Sequence, residues 1–107
     1  MEADMYARYV KSHIKPGLLE DVTHKMACDI IPMLKKQDGF RDEITLFDKE
    51  ANESIAISLW LNKMYADRYG REQFPKVLEQ LKNQLEEIPL VRGFEVTHTT
   101  WYGMHSD

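Results

Sequence analysis

The chain is 107 residues long, 43% hydrophobic and 30% charged, the size and composition of one ordinary globular domain. A formal net charge of −4 with no basic run speaks against a nucleic-acid surface, which needs clustered Lys and Arg to displace phosphate counterions. No apolar run approaches the roughly 20 residues of a membrane span, and MEADMYARYV lacks the pattern of an export signal, so a cytoplasmic protein without membrane contact is expected.

Residues 4–12 alternate as a first strand, Met5, Ala7 and Tyr9 opposing Tyr6, Arg8 and Val10. Pro16 and Gly17 end it. Leu18, Leu19, Val22, Met26, Ile30, Met33 and Leu34 then make a stripe of 3.6-residue period, a helix that Pro32 is predicted to kink or restart in its last turn. Gly39 closes the following turn. A second strand runs from Phe40 to Asp48, with Ile44 and Leu46 on one face and Glu43, Thr45 and Phe47 on the other. A short polar link makes it a hairpin with the third strand, Glu53 to Leu61. Asn62 is an N-cap for a short helix through Tyr69, closed by Gly70. Phe74, Val77, Leu78, Leu81, Leu85 and Ile88 form another helical stripe, stopped by Pro89. Arg92 to Tyr102 reads as the last strand, with His98 beside Phe94 and Val96 and with Trp101 beside Glu95. Cys28 stands alone, which allows no internal disulfide.

The order βαββαβ predicts a ferredoxin-like α+β domain filling residues 1–107, its core about 4–102: one four-stranded antiparallel sheet with both helices on one face. The third strand has two unlike faces, Ile55, Ile57, Leu59 and Leu61 against Ser54, Ala56, Ser58 and Trp60. The expectation is that the helices cover the aliphatic set. The small set, which suits a cavity wall, would then share the outer face with Trp60, Phe47 and Trp101 or Tyr9. That much aromatic surface needs a cover, and a second copy of the sheet is the economical one. A homodimer is therefore expected from the residues alone.

Several segments carry a resemblance: the opening strand followed by PGLLEDV, the QDGF turn, the third strand ending in SLWLN, and the broken helix YADRYGREQFPKVLEQL. Together they make the chain similar to the antibiotic biosynthesis monooxygenase (ABM) family of the dimeric α/β-barrel superfamily. The resemblance implies a sheet-to-sheet dimer forming an α/β barrel. It also implies oxidation of electron-rich aromatic or polyketide substrates by O₂ without metal or flavin, the protein supplying a dry pocket, oxyanion donors and positioning. Trp60 matches an indole that quinone-forming members have at the end of this strand. Their Asn four residues earlier is Ala56 here, and their helix tyrosine falls at Ala66, near Tyr65 and Tyr69. Haem-degrading relatives would need an axial His and a Trp where this chain has Glu79 and Tyr69, so haem degradation is not expected.

The candidate catalytic residues are Trp60, His98 and Tyr69. Tyr6, Arg8, Phe47, Ser58, Tyr65 and Trp101 are candidates for holding a substrate, and Glu95 or Asp42 for a base if either faces a dry cavity. Each has a plainer alternative: Trp60 as dimer core, His98 as a structural histidine, Arg8 as a surface cation. The histidines fit no zinc spacing, so no metal is expected, and the resemblance implies that no cofactor is needed. The two functions left open are a cofactor-independent monooxygenase on a small aromatic or enolisable substrate, and a non-catalytic ligand-binding or stress-responsive dimer. A pocket of a few hundred Å³ with a polar group pointing into it separates them.

Overall fold

The computed structural model describes residues 5–100. Four strands, β1 (Tyr6–His13), β2 (Phe40–Asp48), β3 (Glu53–Trp60) and β4 (Leu90–Glu95), make one antiparallel sheet in the order β2-β3-β1-β4. Between β1 and β2 the chain forms α1 (Leu19–Lys25), a π turn (Met26–Ile30) and α2 (Ile31–Lys35) in unbroken succession. Between β3 and β4 lie α3 (Lys63–Glu72) and α4 (Phe74–Leu81). All these helices place side chains against the same sheet face. This is the ferredoxin-like α+β arrangement.

Local chemistry explains the punctuation. Pro32 has no N–H to donate, and its ring would collide with the carbonyl four residues back. The helix answers by widening one turn, and the Ile31 N–H donates to the Met26 carbonyl five residues back. Asn62 caps α3 by accepting the Tyr65 N–H at 3.2 Å. Gly39 sits at φ +80°, and a Cβ there would collide with the Tyr65 ring.

Three boundaries differ from the sequence reading. α3 runs through Gly70 to Glu72 and breaks at Gln73, because Pro75 is tolerated only in the first turn of a new helix. α4 ends at Leu81 instead of reaching Ile88. β1 overhangs the shorter β4, and the free backbone of 13–15 takes up 84–86: Ile14 bridges Leu85, the Lys15 N–H donates to Gln84 O at 2.8 Å and the Glu86 N–H to His13 O at 2.8 Å. β4 starts at Leu90 and stops at Glu95, which leaves His98 beyond it; Trp101 and Tyr102 lie outside the described residues.

The faces of the sheet are the reverse of those expected. Register pairs Tyr6 with Trp60, Arg8 with Ser58 and Val10 with Ala56, and this is the face under the helices. Ile55, Ile57, Leu59 and Tyr9 lie on the opposite face, on which no described element packs. Trp60 and Phe47 therefore belong to the helix side and only Tyr9 to the open one. The sequence reading puts the aliphatic residues of β3 under the helices because an aliphatic strand face belongs on a core. Here the helices bring their own bulk, Ile30, Leu34, Val77 and Leu81, and sit over the small strand residues.

Candidate functional site

Between sheet and helices lies a cavity of about 270 Å³. Its floor is Ser54, Ala56 and Ser58 of β3, with Val10 of β1 and Thr45 and Phe47 of β2 on either side. Its roof is apolar, built from side chains such as Val22, Ile30, Val77 and Leu81. Protein interiors rarely leave voids larger than a water molecule. Short side chains along the middle of a strand, under long ones from the helices, produce this one.

Trp60 closes the end of the sheet and is fully buried. Its Nε1–H donates to Ser58 Oγ at 2.9 Å, and its ring meets Phe40 edge-on at 5.6 Å and Tyr69 at 5.0 Å. The indole does not line the cavity, and nor is it dimer core. It stands behind Ser58 and Tyr69, which do line it, and fixes both.

Arg8 points from β1 into this apolar space and is only 8% exposed. Its guanidinium stacks on Tyr69 at 5.1 Å and Phe74 at 4.5 Å. It passes close to Gly70, where even an added Cβ would be in ordinary contact with it, 3.5 Å from Nε. Arg8 makes no hydrogen bond or ion pair with any described residue. Burial pulls its pKa down from the ordinary value, against the charges of Tyr69, Asp67 and Glu43, and an arginine keeps its proton even so. Among the described residues no buried side-chain nitrogen or oxygen lacks a partner, so the Arg8 N–H groups that find no protein acceptor open onto the cavity, where water or a ligand oxygen can meet them.

Glu43 of β2 lines the same cavity. Burial pushes its carboxyl up to about 7, opposed by the hydroxyl of Thr45 and the charge of Arg8, while Asp42 adds to the rise. Thr45 Oγ1 donates to its Oε2 at 3.3 Å on the exposed side of the cavity, where Glu43 is half-buried. Glu43 faces the helices although Phe40 also does, because a bulge between Phe40 and Asp42 shifts the phase of β2. The Tyr69 hydroxyl, buried beside Arg8, is pushed up to about 12, chiefly by desolvation, and stays protonated.

Of the residues singled out from sequence, Arg8, Phe47, Ser58 and Tyr69 come together around the cavity. Tyr6 shares the face but packs over Gly93 beside Trp60, and Tyr65 packs against Gly39 with Arg68 over its ring. His98 is exposed beyond the end of β4, and Trp101 lies outside the described residues. Asp42 is on the open face, paired with Leu59, and Glu95 is exposed at the sheet edge. The acid that does face the cavity is Glu43, which sequence reasoning missed. Its signal was present: it alternates with Thr45 and Phe47, and those place it on the small-residue face once β2 is paired with β3. Among the described residues no His, Cys, Asp and Glu cluster has the makings of a metal site, and no helix is long and apolar enough to cross a membrane.

Comparison with solved structures places this fold. A candidate antibiotic biosynthesis monooxygenase from Nitrosomonas europaea superposes with a TM-score of 0.77 at 10% identity, over 94% of this chain and 97% of that one. SnoaB, a cofactor-independent oxygenase from Streptomyces nogalater, gives 0.69 at 17% identity, over 92% and 99%. A monooxygenase from Streptomyces coelicolor, solved with nanaomycin D, gives 0.76 at 10% identity, over 90% of each chain. No family model and no curated protein matches the sequence. The chain has the fold of the antibiotic biosynthesis monooxygenases.

Proposed function

We propose that this protein is a cofactor-independent monooxygenase of small aromatic or enolisable substrates, acting as a homodimer packed through its open sheet face. Arg8 carries the reading: it is a buried guanidinium with no protein acceptor, aimed into an apolar cavity. Such a group suits an oxygen atom that becomes negative during a reaction, because fixed charges act strongly where water is excluded. A substrate with an activated methylene loses a proton and passes one electron from the anion to O₂. The two radicals combine to a peroxide, which loses water to leave a carbonyl. One oxygen atom stays in the product and the other leaves as water. The substrate supplies every electron, so the reaction calls for no resident cofactor. In this reading Arg8 and the protonated Tyr69 hydroxyl hold the oxyanion, Phe47 and Ser58 form the wall, and Trp60, Tyr6 and Tyr65 support from behind. His98 takes no part. For the dimer, support comes from Ile44, Leu46, Ile55, Ile57, Leu59 and Phe94, which share a face that no described element covers. Monomers seldom expose contiguous apolar patches beyond about 300–600 Å².

The test is oxygen uptake by metal-free protein with a panel of dihydroxyarenes and anthrone-like phenols, beside an Arg8→Met variant. Uptake matching quinone formation, and reduced about 100-fold or more in the variant, is the expected result. Buffer-level uptake across the panel would turn the reading to a dimer that binds an apolar ligand in the same cavity without converting it.

A further inference from the structure

Arg8, Ser58 and Glu43 form a single row across β1, β3 and β2, all on the helix face and all lining the cavity. Neighbouring strands lie about 4.8 Å apart, so the two charged residues start roughly 10 Å from each other. Opposite charges in an apolar space attract strongly, yet these are not in contact, for no ion pair joins them. Each is held on its own side. The guanidinium is drawn under α3 against Tyr69 and Phe74. The carboxylate is held by Thr45, and Ser58 between them is occupied by the Trp60 indole N–H. What remains is a slot with a cation at one end and a carboxylate at the other.

We infer that Glu43 is the base of this site and Arg8 the donor to its oxyanion, and that the ligand is a one- or two-ring enolisable ketone lying between them. The cavity sets the scale: a void of about 150 Å³ takes benzene, so about 270 Å³ has room for two fused rings. The row sets the chemistry. The Glu43 carboxylate takes the proton from the carbon next to the carbonyl; the C–H electron pair becomes the carbon–carbon double bond of the enolate, and the charge settles on the oxygen facing Arg8. On protonation from Glu43 the ketone is restored, so this step consumes neither oxygen nor electrons. It rests on the oxygenase reading only in taking this cavity as the active site.

A carboxyl brought near neutrality suits such a base, since efficient general bases have pKa values close to the working pH. The groups bearing on it are Arg8 from β1, Tyr69 from α3, and Asp42 and Thr45 from β2. α1, α2, the π turn and α4 contribute no titratable side chain to the cavity wall.

The experiment follows deuterium exchange at the benzylic methylene of 2-tetralone, a two-ring ketone, by NMR in D₂O under argon. Wild-type protein is expected to accelerate exchange, Glu43→Gln to lose about 100-fold or more of that acceleration, and Arg8→Met a comparable factor. The wild-type rate should rise with pH and level off as a single group titrates near 7, a readout that does not depend on any variant folding. No acceleration by the wild type, undiminished exchange in folded Glu43→Gln, or a profile with no such titration overturns the inference. Exchange without any oxygen uptake in air upholds it and overturns the oxygenase reading. Oxygen uptake indifferent to Glu43→Gln does the reverse.

Discussion

On the helix side of β3 stand Ser54, Ala56, Ser58 and Trp60; on the other side stand Ile55, Ile57 and Leu59. Both faces shun water, but their size distributions differ. The first steps from very small residues to a single indole, so bulky helices above it leave a hollow at one end and a packed aromatic cluster at the other. The second is even and of middle size, continued by Ile44 and Leu46 across the hairpin, and presents a flat apolar surface. Hydrophobicity alone therefore does not say which face a protein's own helices cover. Uniform aliphatics suit a layer packed against a like layer, whereas a graded face suits a cavity.

Trp60→Ala is the harshest test of that contrast. Removing a fully buried indole and its bond to Ser58 should lower the unfolding free energy by about 3–5 kcal/mol in urea. It should also release Ser58 and Tyr69, which makes it a poor probe of the chemistry. A cost under about 1 kcal/mol would place the indole on a wet surface and reverse the two faces.

The open face is broken differently. Leu46→Lys with Ile57→Lys should leave the circular dichroism of the domain intact while weakening self-association about 100-fold, close to 2.8 kcal/mol, measured by sedimentation. Unchanged association would mean that copies do not meet through this face.

The element types, their order and the ferredoxin-like arrangement were legible because periodicity reports them directly, and the resemblance to ABM proteins points to the same fold. Which face turned to the helices was not legible. Period-two alternation separates Ile57 from Ser58 but does not name the side on which α1 to α4 lie, and the assumption that aliphatics go under helices chose wrongly. Glu43 was hidden by the same error, since it sits on the face taken to be the outer one. The end of α4 was lost because Leu85 continues the helical stripe, and only the overhang of β1 diverts it into a bridge.

Glu43 gives the helix side a pH signature. Its folded pKa is raised from 4.5 to about 7, so between those values the folded chain holds a proton that the unfolded chain has released. Stability should fall as pH rises through that window, by roughly 1–3 kcal/mol. Glu43→Gln should flatten the slope in pH-dependent urea unfolding. An unaltered slope in the variant would mean the carboxylate is hydrated and its side of the cavity wet.

The smallest effect belongs to the end of the sheet opposite Trp60, where His13 is exposed to solvent between Ser12 and Ile14. His13 Nδ1 lies 2.6 Å from Glu87 Oε2 and its Nε2 3.2 Å from Glu53 Oε2, joining the overhang of β1 to the segment after α4. The hydrogen bond to Glu87 leads in raising the histidine's pKa above 6.5, with smaller support from Glu53. A raised folded pKa means that the stabilisation is complete below about 6.5 and is lost as pH rises through the folded value, a window that starts near the top of Glu43's. His13→Asn should remove only this later decline in melting temperature, and added salt should shrink it in the wild type, because the groups are exposed. If Glu43→Gln abolished both declines, the two ends of the sheet would be coupled. Separate losses in the two variants would mean that the strand end closes independently of whatever fills the cavity.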